Sequence, residues 1–463
     1  MTDNTLNIEG GAKVTGDAVG AHSDSGDAQN NRVVISGSTT QIVGAAIGGL
    51  LYTSGTGVVE NNTVTMTAGT VGEIYGGMNE STSYTDANSN HVILEGGNVT
   101  SDVYGAMTDG AANSNTVTIR GTGNVGHSVY GGSGDTSANW NTVIIEAGYT
   151  GTVSGYVFGG DADGGAANNT VEINGGTVDG VSGAYSFSGA ATKNIVTLNG
   201  GVVSDIVTGG KSESSTATGN IVNVNGGTVG GVIGGESGGS DAVSDNIVNL
   251  NGGTVNSKVY GGYSQAGTAT HNTVNLNGST VNTFVYGGYV NNTSGSATGN
   301  TVNLNGVMTA GTGLYGGACN GACTGDVFTG NTLNVRAVGN TVAGIENFEK
   351  INFYLDSTVV ANDVILTVGT ATLGNGVDPS KIDVGMSGSS SSLTTGDEVT
   401  LIHATTSLSG LWTHATGQAG STLNYNFNLH QNGNDLMATV TSVGASQQSK
   451  SLPEGHLSGT SFL

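Results

Sequence analysis

Two glutamates and an arginine have the types and spacing for chemistry on a sugar polymer. Glu95 and Glu146 lie two sequence repeats apart, which is roughly 9–10 Å if each repeat is one turn of stacked strands. This separation is near the upper limit for the carboxyl pair of an inverting glycosidase. Arg120 lies in the intervening repeat and would oppose the raised pKa that a general acid needs. An ion-pair ladder is therefore favoured, with a polysaccharide-active enzyme as the weaker alternative.

A second motif, GESGG at 235–239, is similar to the surroundings of a nucleophilic serine. A nucleophile of this kind needs a strand-to-helix turn, with a histidine and an acid converging on it. Ser237 instead follows a Val-Ile-Gly-Gly corner, where the other repeats also have a polar loop. We expect no catalytic residue there and no enzymatic activity.

The two cysteines, Cys319 and Cys323, are too few for a closed zinc site without nearby histidines. A tight disulfide formed in an oxidising compartment is predicted, with two free thiols as the alternative. The acidic run DADG at 161–164 lacks the remaining ligands of a calcium loop. The sequence therefore predicts no metal and no cofactor.

Composition narrows the class of protein. The 463 residues include 83 Gly but only 2 Pro, and only 10% are charged. Regularly spaced Val, Ile and Leu argue against a flexible linker, and the absence of a three-residue period excludes collagen. The net charge of −24 makes nucleic acid and anionic lipid poor partners. Because no run of eighteen apolar residues occurs, no membrane-spanning helix is predicted.

A repeat of 25–31 residues positions all of these groups. It reads Asn-x-Val-x-Leu-x-Gly-Gly, then about six residues, then Val-Tyr-Gly-Gly and a polar loop. Its first Asn recurs at Asn4, Asn31, Asn62, Asn90, Asn115, Asn141, Asn169, Asn194, Asn220, Asn246, Asn272, Asn300 and Asn331. In the unit from Asn246, Val248 and Leu250 alternate with Asn249 and Asn251, as in a half-buried strand.

Stacking these units buries what one unit cannot bury alone. We therefore predict an all-β fold, a single-stranded right-handed parallel β-helix (β-solenoid) of about 13 rungs. The repeated Asn, represented by Asn246, Asn272 and Asn300, is interpreted as a structural ladder of residues suited to a left-handed turn. The Gly-Gly pairs mark corners where a Cβ would clash.

An aromatic residue precedes the corner glycines in many units. The residue before it is Ile, Val or Leu and is expected to point inward, so the aromatic side chain faces outward. Such a column could bind sugar rings or another copy of the chain, since tyrosine combines apolar area with a polar tip. The alternative is that the rings stack on one another and only cover the corner. The column consists of Tyr75, Tyr104, Tyr130, Phe158, Tyr260, Tyr286 and Tyr315.

After residue 338 the sequence becomes less glycine-rich, and three regions are predicted: a repeat β-helix at 1–338, a β-rich cap at 339–445 and a linker at 446–463. Five larger apolar residues are expected to cover the open end of the solenoid: Ile345, Phe348, Ile351, Phe353 and Leu355. The alternating segment 421–443 predicts a terminal hairpin with Gly433 near its turn.

Three features together resemble the passengers of bacterial autotransporters (type V secretion), particularly the self-associating adhesins. They are the NTVNLNG…VYGG rungs at 246–317, GIENFEKINFYLDST at 344–358 and SLPEGHLSG at 451–459. The second is similar to the passage into an autochaperone region, and the third to the junction before a translocating β-barrel. The resemblance implies that 339–445 is autochaperone-like and that 446–463 leads to a barrel absent from this chain. It also implies export across the outer membrane of a Gram-negative-type bacterium.

The expected function is therefore adhesion, self-association or biofilm formation at the cell surface or after secretion, without catalysis. The expected partners are host-cell or bacterial surface molecules, protein or glycan, or a second copy of the chain. A structural stalk that carries an absent N-terminal head is the first alternative, and the polysaccharide-active enzyme is the second.

Overall fold

A computed structural model describes residues 1–52, 57–80, 84–308, 311–387, 392–414 and 423–445. These residues form strands, turns and loops without a helix, and build about 14 turns of a parallel β-solenoid. The predicted all-β parallel β-solenoid is confirmed and the predicted number of 13 rungs is close, whereas the predicted C-terminal cap is not confirmed. Within these ranges no helix has the length and apolar character needed to cross a membrane. The chain divides into two compact units, Met1–Asn272 and Thr273–Leu463.

Each turn of the first unit begins with a four-residue strand, and these strands form its first face. They pair in parallel with equivalent residues in register, as in Val222↔Val248 and Val224↔Leu250. The predicted alternation is present: Val248 and Leu250 are fully buried, whereas Asn249 is half-buried and Asn251 is exposed. The strands are Thr5–Ile8, Arg32–Ile35, Thr63–Met66, His91–Leu94, Thr116–Ile119, Thr142–Ile145, Thr170–Ile173, Ile195–Leu198, Ile221–Val224 and Ile247–Leu250.

The second face of this unit contains longer or paired strands that follow a tight turn. It is the face that carries the aromatic residues and the corner glycines. Its strands are Lys13–Val14, Ala18–Ser23, Gln41–Leu51, Thr70–Asn79, Asn98–Val99, Val103–Thr108, Asn124–Val125, Val129–Gly134, Thr152–Ala162, Thr177–Ser186, Val202–Thr208, Lys211–Ser212, Thr228–Ser237, Thr254–Val255 and Val259–Ser264.

The third face is narrow and has strands of two residues. Its inward residue is usually alanine, and Ala138, Ala166 and Ala191 belong to one fully buried cluster. Small side chains here leave room for the Val, Ile and Leu of the other two faces. The strands are Ala28–Gln29, Val59–Glu60, Ala87–Asn88, Ala166–Ala167, Ala191–Thr192, Ala217–Thr218, Val243–Ser244 and Ala269–Thr270.

The repeated asparagine forms a buried column at the start of the first face. The backbone N–H of Asn141 donates to Oδ1 of Asn169 at 2.9 Å, and its Nδ2 donates to the same oxygen at 3.1 Å. Nδ2 also donates to the carbonyl of Ala112 at 2.9 Å. The left-handed conformation falls on the preceding residue, Trp140 with φ 59° and Asn168 with φ 57°, and not on the asparagine as we expected. The reason is that the asparagine must turn its amide inward to bond along the column.

The corner glycines make room for this column. A Cβ on Gly132 would lie 2.7 Å from Nδ2 of Asn141, and one on Gly131 would lie 2.3 Å from the carbonyl oxygen of Gly159 in the next turn. Neither glycine has a positive φ. Close approach, and not backbone conformation, therefore requires glycine at these two positions.

In the second unit the parallel pairing continues well past residue 338. Its first-face strands are Thr273–Leu276, Thr301–Leu304, Thr332–Val335, Lys350–Leu355, Ser380–Met386 and Trp412–His414. Its second-face strands are Thr280–Val281, Phe284–Val290, Gly313–Cys319, Asn340–Glu346, Val364–Leu373 and Glu398–Gly410. The antiparallel strands Leu423–Asn432 and Asp435–Ala445 follow, and the second of them pairs with Glu398–Gly410.

The hairpin predicted near the C-terminus is therefore present, with Gly433 at φ 60° in its turn. The five apolar residues expected to cover an open end have a different place. Ile351 and Phe353 lie in a strand that pairs on both sides, so they form the core of a further turn. Phe348 and Leu355 are likewise buried. The predicted linker at 446–463 lies outside the described residues.

Replacing Asn141 with alanine tests the column. The change leaves the N–H and Nδ2 groups of Asn115 without their buried acceptor, so we expect a loss of about 3 kcal/mol or more in the free energy of unfolding. Asn225→Ala is the matched control, because Asn225 is exposed and bonds only along the outer surface. Urea unfolding followed by circular dichroism measures both, and equal losses would contradict the role of the buried column.

Candidate functional site

Four aromatic residues occupy consecutive turns at one outward position of the second face. The backbone register pairs Tyr75 with Tyr104, Tyr104 with Tyr130 and Tyr130 with Phe158. The valine or isoleucine before each ring points into the core, as in Val103 and Val129, which are fully buried. Strand alternation therefore directs the rings outward. We call Tyr75, Tyr104, Tyr130 and Phe158 the aromatic strip.

The rings of the aromatic strip stack face to face along the solenoid. Their centroids lie 4.9, 4.6 and 5.1 Å apart in order, with interplanar angles of 1°, 4° and 10°. These separations match the spacing of neighbouring strands, about 4.8 Å, so the backbone sets the stack. The rings thus cover one another, and three of the four remain half-exposed at their edges.

Tyr75, at the N-terminal end of the strip, is only 6% exposed. It packs on Ala45, Ile47 and Leu50, which all lie in the strand Gln41–Leu51 of the preceding turn. A groove of 720 Å³ opens beside it and includes Glu73, Met78 and the aliphatic residues just named. The strip therefore continues as an aliphatic surface toward the first turns.

Carboxylates border the strip on one side. Tyr75 donates its hydroxyl hydrogen to Oε2 of Glu73 at 2.8 Å, and the hydroxyl of Ser101 bonds Oε1 of Glu73 at 3.2 Å. Nδ1 of His127 lies 2.7 Å from Oδ1 of Asp102. Burial, reinforced by the Glu73 carboxylate, raises the pKa of Tyr75 well above its usual value. The pKa of Tyr104 is also raised, by burial first and then by the Asp102 carboxylate. Both hydroxyl groups therefore stay protonated at physiological pH.

The seven predicted aromatic residues do not form one stack. Between Phe158 and Tyr260 the same position holds Ser182, Thr208 and Ile233. Tyr260, beyond this interruption, contacts Tyr263 edge-to-face at 5.4 Å. In the second unit Tyr286 and Tyr315 stack at 5.0 Å and 24°.

A second outward column on this face was missed in the sequence. It follows the corner glycines and contains Leu50, Met78, Met107, Ser133, Asp161, Tyr185, Lys211, Glu236 and Tyr263. The sequence contains the signal for this column, because the residues that follow successive Gly-Gly pairs are one repeat apart. The column is hard to recognise in the sequence because no single residue type recurs in it.

The other candidate residues lie away from the strip. Arg120 forms ion pairs with Glu95 and, at 3.5 Å, with Glu146 on the exposed surface of the first face. Cys319 and Cys323 are joined in a disulfide. Ser237 is fully buried and donates its hydroxyl hydrogen to the carbonyl of Ser215 at 2.8 Å. Throughout the ranges that the structure describes, no three His, Cys, Asp or Glu side chains come together as a metal site.

Asp161 is an acid of this face whose surroundings raise its pKa. Burial and the nearby Asp163 carboxylate raise the pKa of Asp161 to about 6. An acid with a raised pKa in the folded state favours folding when protonated, so stability falls as the pH rises from about 4 to 6. Asp161→Asn should remove this loss and increase the free energy of unfolding at pH 7 by on the order of 1–2 kcal/mol.

Urea midpoints measured between pH 4 and pH 7 check this expectation. Asp179→Asn, which removes one negative charge at an exposed position of the same unit, is the control for the change in net charge. An unchanged pH slope in Asp161→Asn would show that this carboxylate titrates normally.

Comparison with known proteins returned no match: no protein-family model, no curated protein and no solved structure resembles the chain closely enough to be paired with it.

Proposed function

We propose that the chain is the surface-exposed passenger of an autotransporter-type system and acts in adhesion, self-association or biofilm formation without catalysis. The observation that carries the proposal is the aromatic strip, a row of stacked rings on the outer surface of a parallel sheet, in which Tyr104, Tyr130 and Phe158 are partly exposed. Contiguous exposed apolar surface on a protein commonly marks an interaction site. Tyrosine is enriched at such sites because it offers a large contact area and a hydrogen-bonding tip.

The strip also has the rigidity that a binding surface needs. Each ring is fixed by its neighbours at 4.6–5.1 Å, and Tyr75 is tied to Glu73. Side chains already held in place lose little conformational entropy when a partner binds. The partners proposed are molecules on a host cell or bacterial surface, protein or glycan, or a second copy of the chain. The net charge of −24 disfavours nucleic acid.

The first face offers a different surface, which supports the stalk as a second candidate. Exposed amides bond from turn to turn along it, as in Asn225 to Asn199 and Asn251 to Asn225, each at 2.7 Å. Amides that already satisfy one another have less to offer a partner. A chain whose surfaces were all of this kind would serve as a spacer for a head domain.

Cell clumping distinguishes the two candidates. We expect bacteria that display residues 1–463 on a neutral translocator barrel to clump or adhere to host cells. Tyr104→Thr combined with Tyr130→Thr should abolish the effect, because it breaks the strip. Thr208 occupies the same position in a later turn, so threonine is compatible with the strand.

The matched control is Asn199→Thr combined with Asn225→Thr on the first face, which should leave clumping intact. Surface exposure of each variant is verified with an antibody against the chain. Clumping that persists without the two tyrosines would exclude the strip as the contact surface. A wild-type chain that causes neither clumping nor adhesion would support the stalk.

A further inference from the structure

The aromatic strip ends abruptly after Phe158. At the position where the next ring would stack, the chain has Ser182, and one turn later it has Thr208. The face of the Phe158 ring opposite Tyr130 therefore borders a gap one or two turns long. A pocket of 330 Å³ occupies this gap.

Two tyrosines form the side walls of the pocket. The ring of Tyr156 lies over Gly180 of the next turn, where a Cβ would come within 2.3 Å of it, and its hydroxyl bonds Asp205 a further turn on. The Tyr156 centroid is 5.8 Å from that of Phe158. On the other side Tyr185 stands edge-on to Phe158, at 6.4 Å and 73°. Three rings thus surround a floor formed by Val181, Ser182, Ile206 and Thr208.

Charged groups close the far end of the pocket. Nζ of Lys211 lies 3.0 Å from Oε1 of Glu213 and 3.4 Å from Oε1 of Glu236. The same Nζ is 5.9 Å from the centre of the Tyr185 ring. One cation therefore faces two carboxylates, and Asp205 adds a third carboxylate behind Tyr156. The local charge is negative, which disfavours an anionic ligand.

The size and chemistry of the pocket restrict its occupant. Its volume is at the small end of the range of about 300–1,000 Å³ for ligand sites, so it fits a single ring. One face of that ring would meet an aromatic surface, and its rim would meet an ammonium group and carboxylates. A pyranose matches both requirements, since it has an apolar C–H face and a rim of hydroxyls. A phenyl ring would fit the aromatic surface but has no hydroxyl groups to hydrogen-bond with Lys211 and Glu236.

We propose that this pocket binds one uncharged pyranose ring of a surface glycan, stacked on Phe158 in the place of the ring that the column lacks. The hydroxyls of the sugar bond to Glu236 and Lys211. The inference rests on the proposed adhesive function and specifies its ligand class.

Purified chain of residues 1–463 tests the proposal by saturation-transfer NMR and titration calorimetry. The probes are the methyl glycosides of glucose, galactose and mannose, with N-acetylneuraminic acid as the anionic comparison. We expect saturation transfer to at least one neutral glycoside and none to the acid. Ser182→Phe should place a ring in the gap and abolish binding, while the unfolding midpoint stays the same or rises. Phe158→Leu should weaken binding by about tenfold or more.

Tyr315→Leu is the control, because it removes a stacked ring in the second unit and leaves the pocket intact; its affinity should be that of the wild type. The proposal is overturned if none of the three neutral glycosides receives saturation, if the acid binds equally well, or if Ser182→Phe retains affinity. Self-association that Ser182→Phe blocks in the absence of sugar binding would also overturn it, since the occupant would then be a second copy.

The outcomes separate the pocket from the broader function. If cells clump through the strip but the purified chain binds none of the sugars, the sugar-binding proposal is wrong and the adhesive function is retained. If the purified chain binds a sugar but cells that display it neither clump nor adhere, the sugar-binding proposal is retained and the adhesive function is wrong.

Discussion

The buried amide column is the interaction on which the first unit depends. A side-chain amide enclosed in an apolar core must have its hydrogen bonds satisfied, and here the adjacent turns supply them. That requirement sets the position of each turn against the next. It also accounts for the glycine content, because corner positions such as Gly132 must leave space for the amide. The asparagine and the corner glycine of this repeat therefore depend on each other, because the buried amide needs the space that the glycine leaves.

Much of the fold can be predicted from the sequence because the same spacing of residues recurs in many successive repeats. The alternation in Val248 and Leu250 gives the inward face, and the regular spacing aligns equivalent positions from turn to turn. An ion pair such as Glu95 with Arg120 then follows from position alone. The conformation of the asparagine did not follow. Its tolerance of left-handed turns is a local property, whereas hydrogen bonds to other turns decide its actual backbone.

Two other features lay beyond sequence reasoning for different reasons. The parallel ladder continues through Lys350–Leu355 because backbone hydrogen bonds pair strands of almost any sequence, so the change to Phe348 and Phe353 conceals its continuation. The gap after Phe158 was visible as Ser182 but had no meaning by itself. It became a site only when Tyr156, one column away, was found to reach across Gly180. Residue types at repeated positions predict the columns. A contact between two columns depends on side-chain conformation, which only the three-dimensional structure shows.

The two faces show how a solenoid separates stability from surface chemistry. Inward positions are filled mainly by Val, Ile, Leu and Ala, as Val103 and Ala138 illustrate, and the polar exceptions are the asparagine column and a few buried serines such as Ser237. Outward positions meet no such restriction, so one face carries bonded amides and another carries rings, acids and a lysine. New recognition surfaces can therefore arise on an outer face by outward substitutions that leave the core unchanged.

The bonding of Asn141 has a consequence for the shortest piece of this chain that can fold. Its oxygen accepts from Asn115 in the turn before, and its nitrogen donates to Asn169 in the turn after. One fully satisfied amide therefore needs three successive turns, and a fragment of one or two turns encloses polar groups that it cannot pair. We therefore expect such a fragment to gain little free energy by folding, so that three turns are the minimum for a stable solenoid. Each further turn would then complete the hydrogen bonds of the turn beside it.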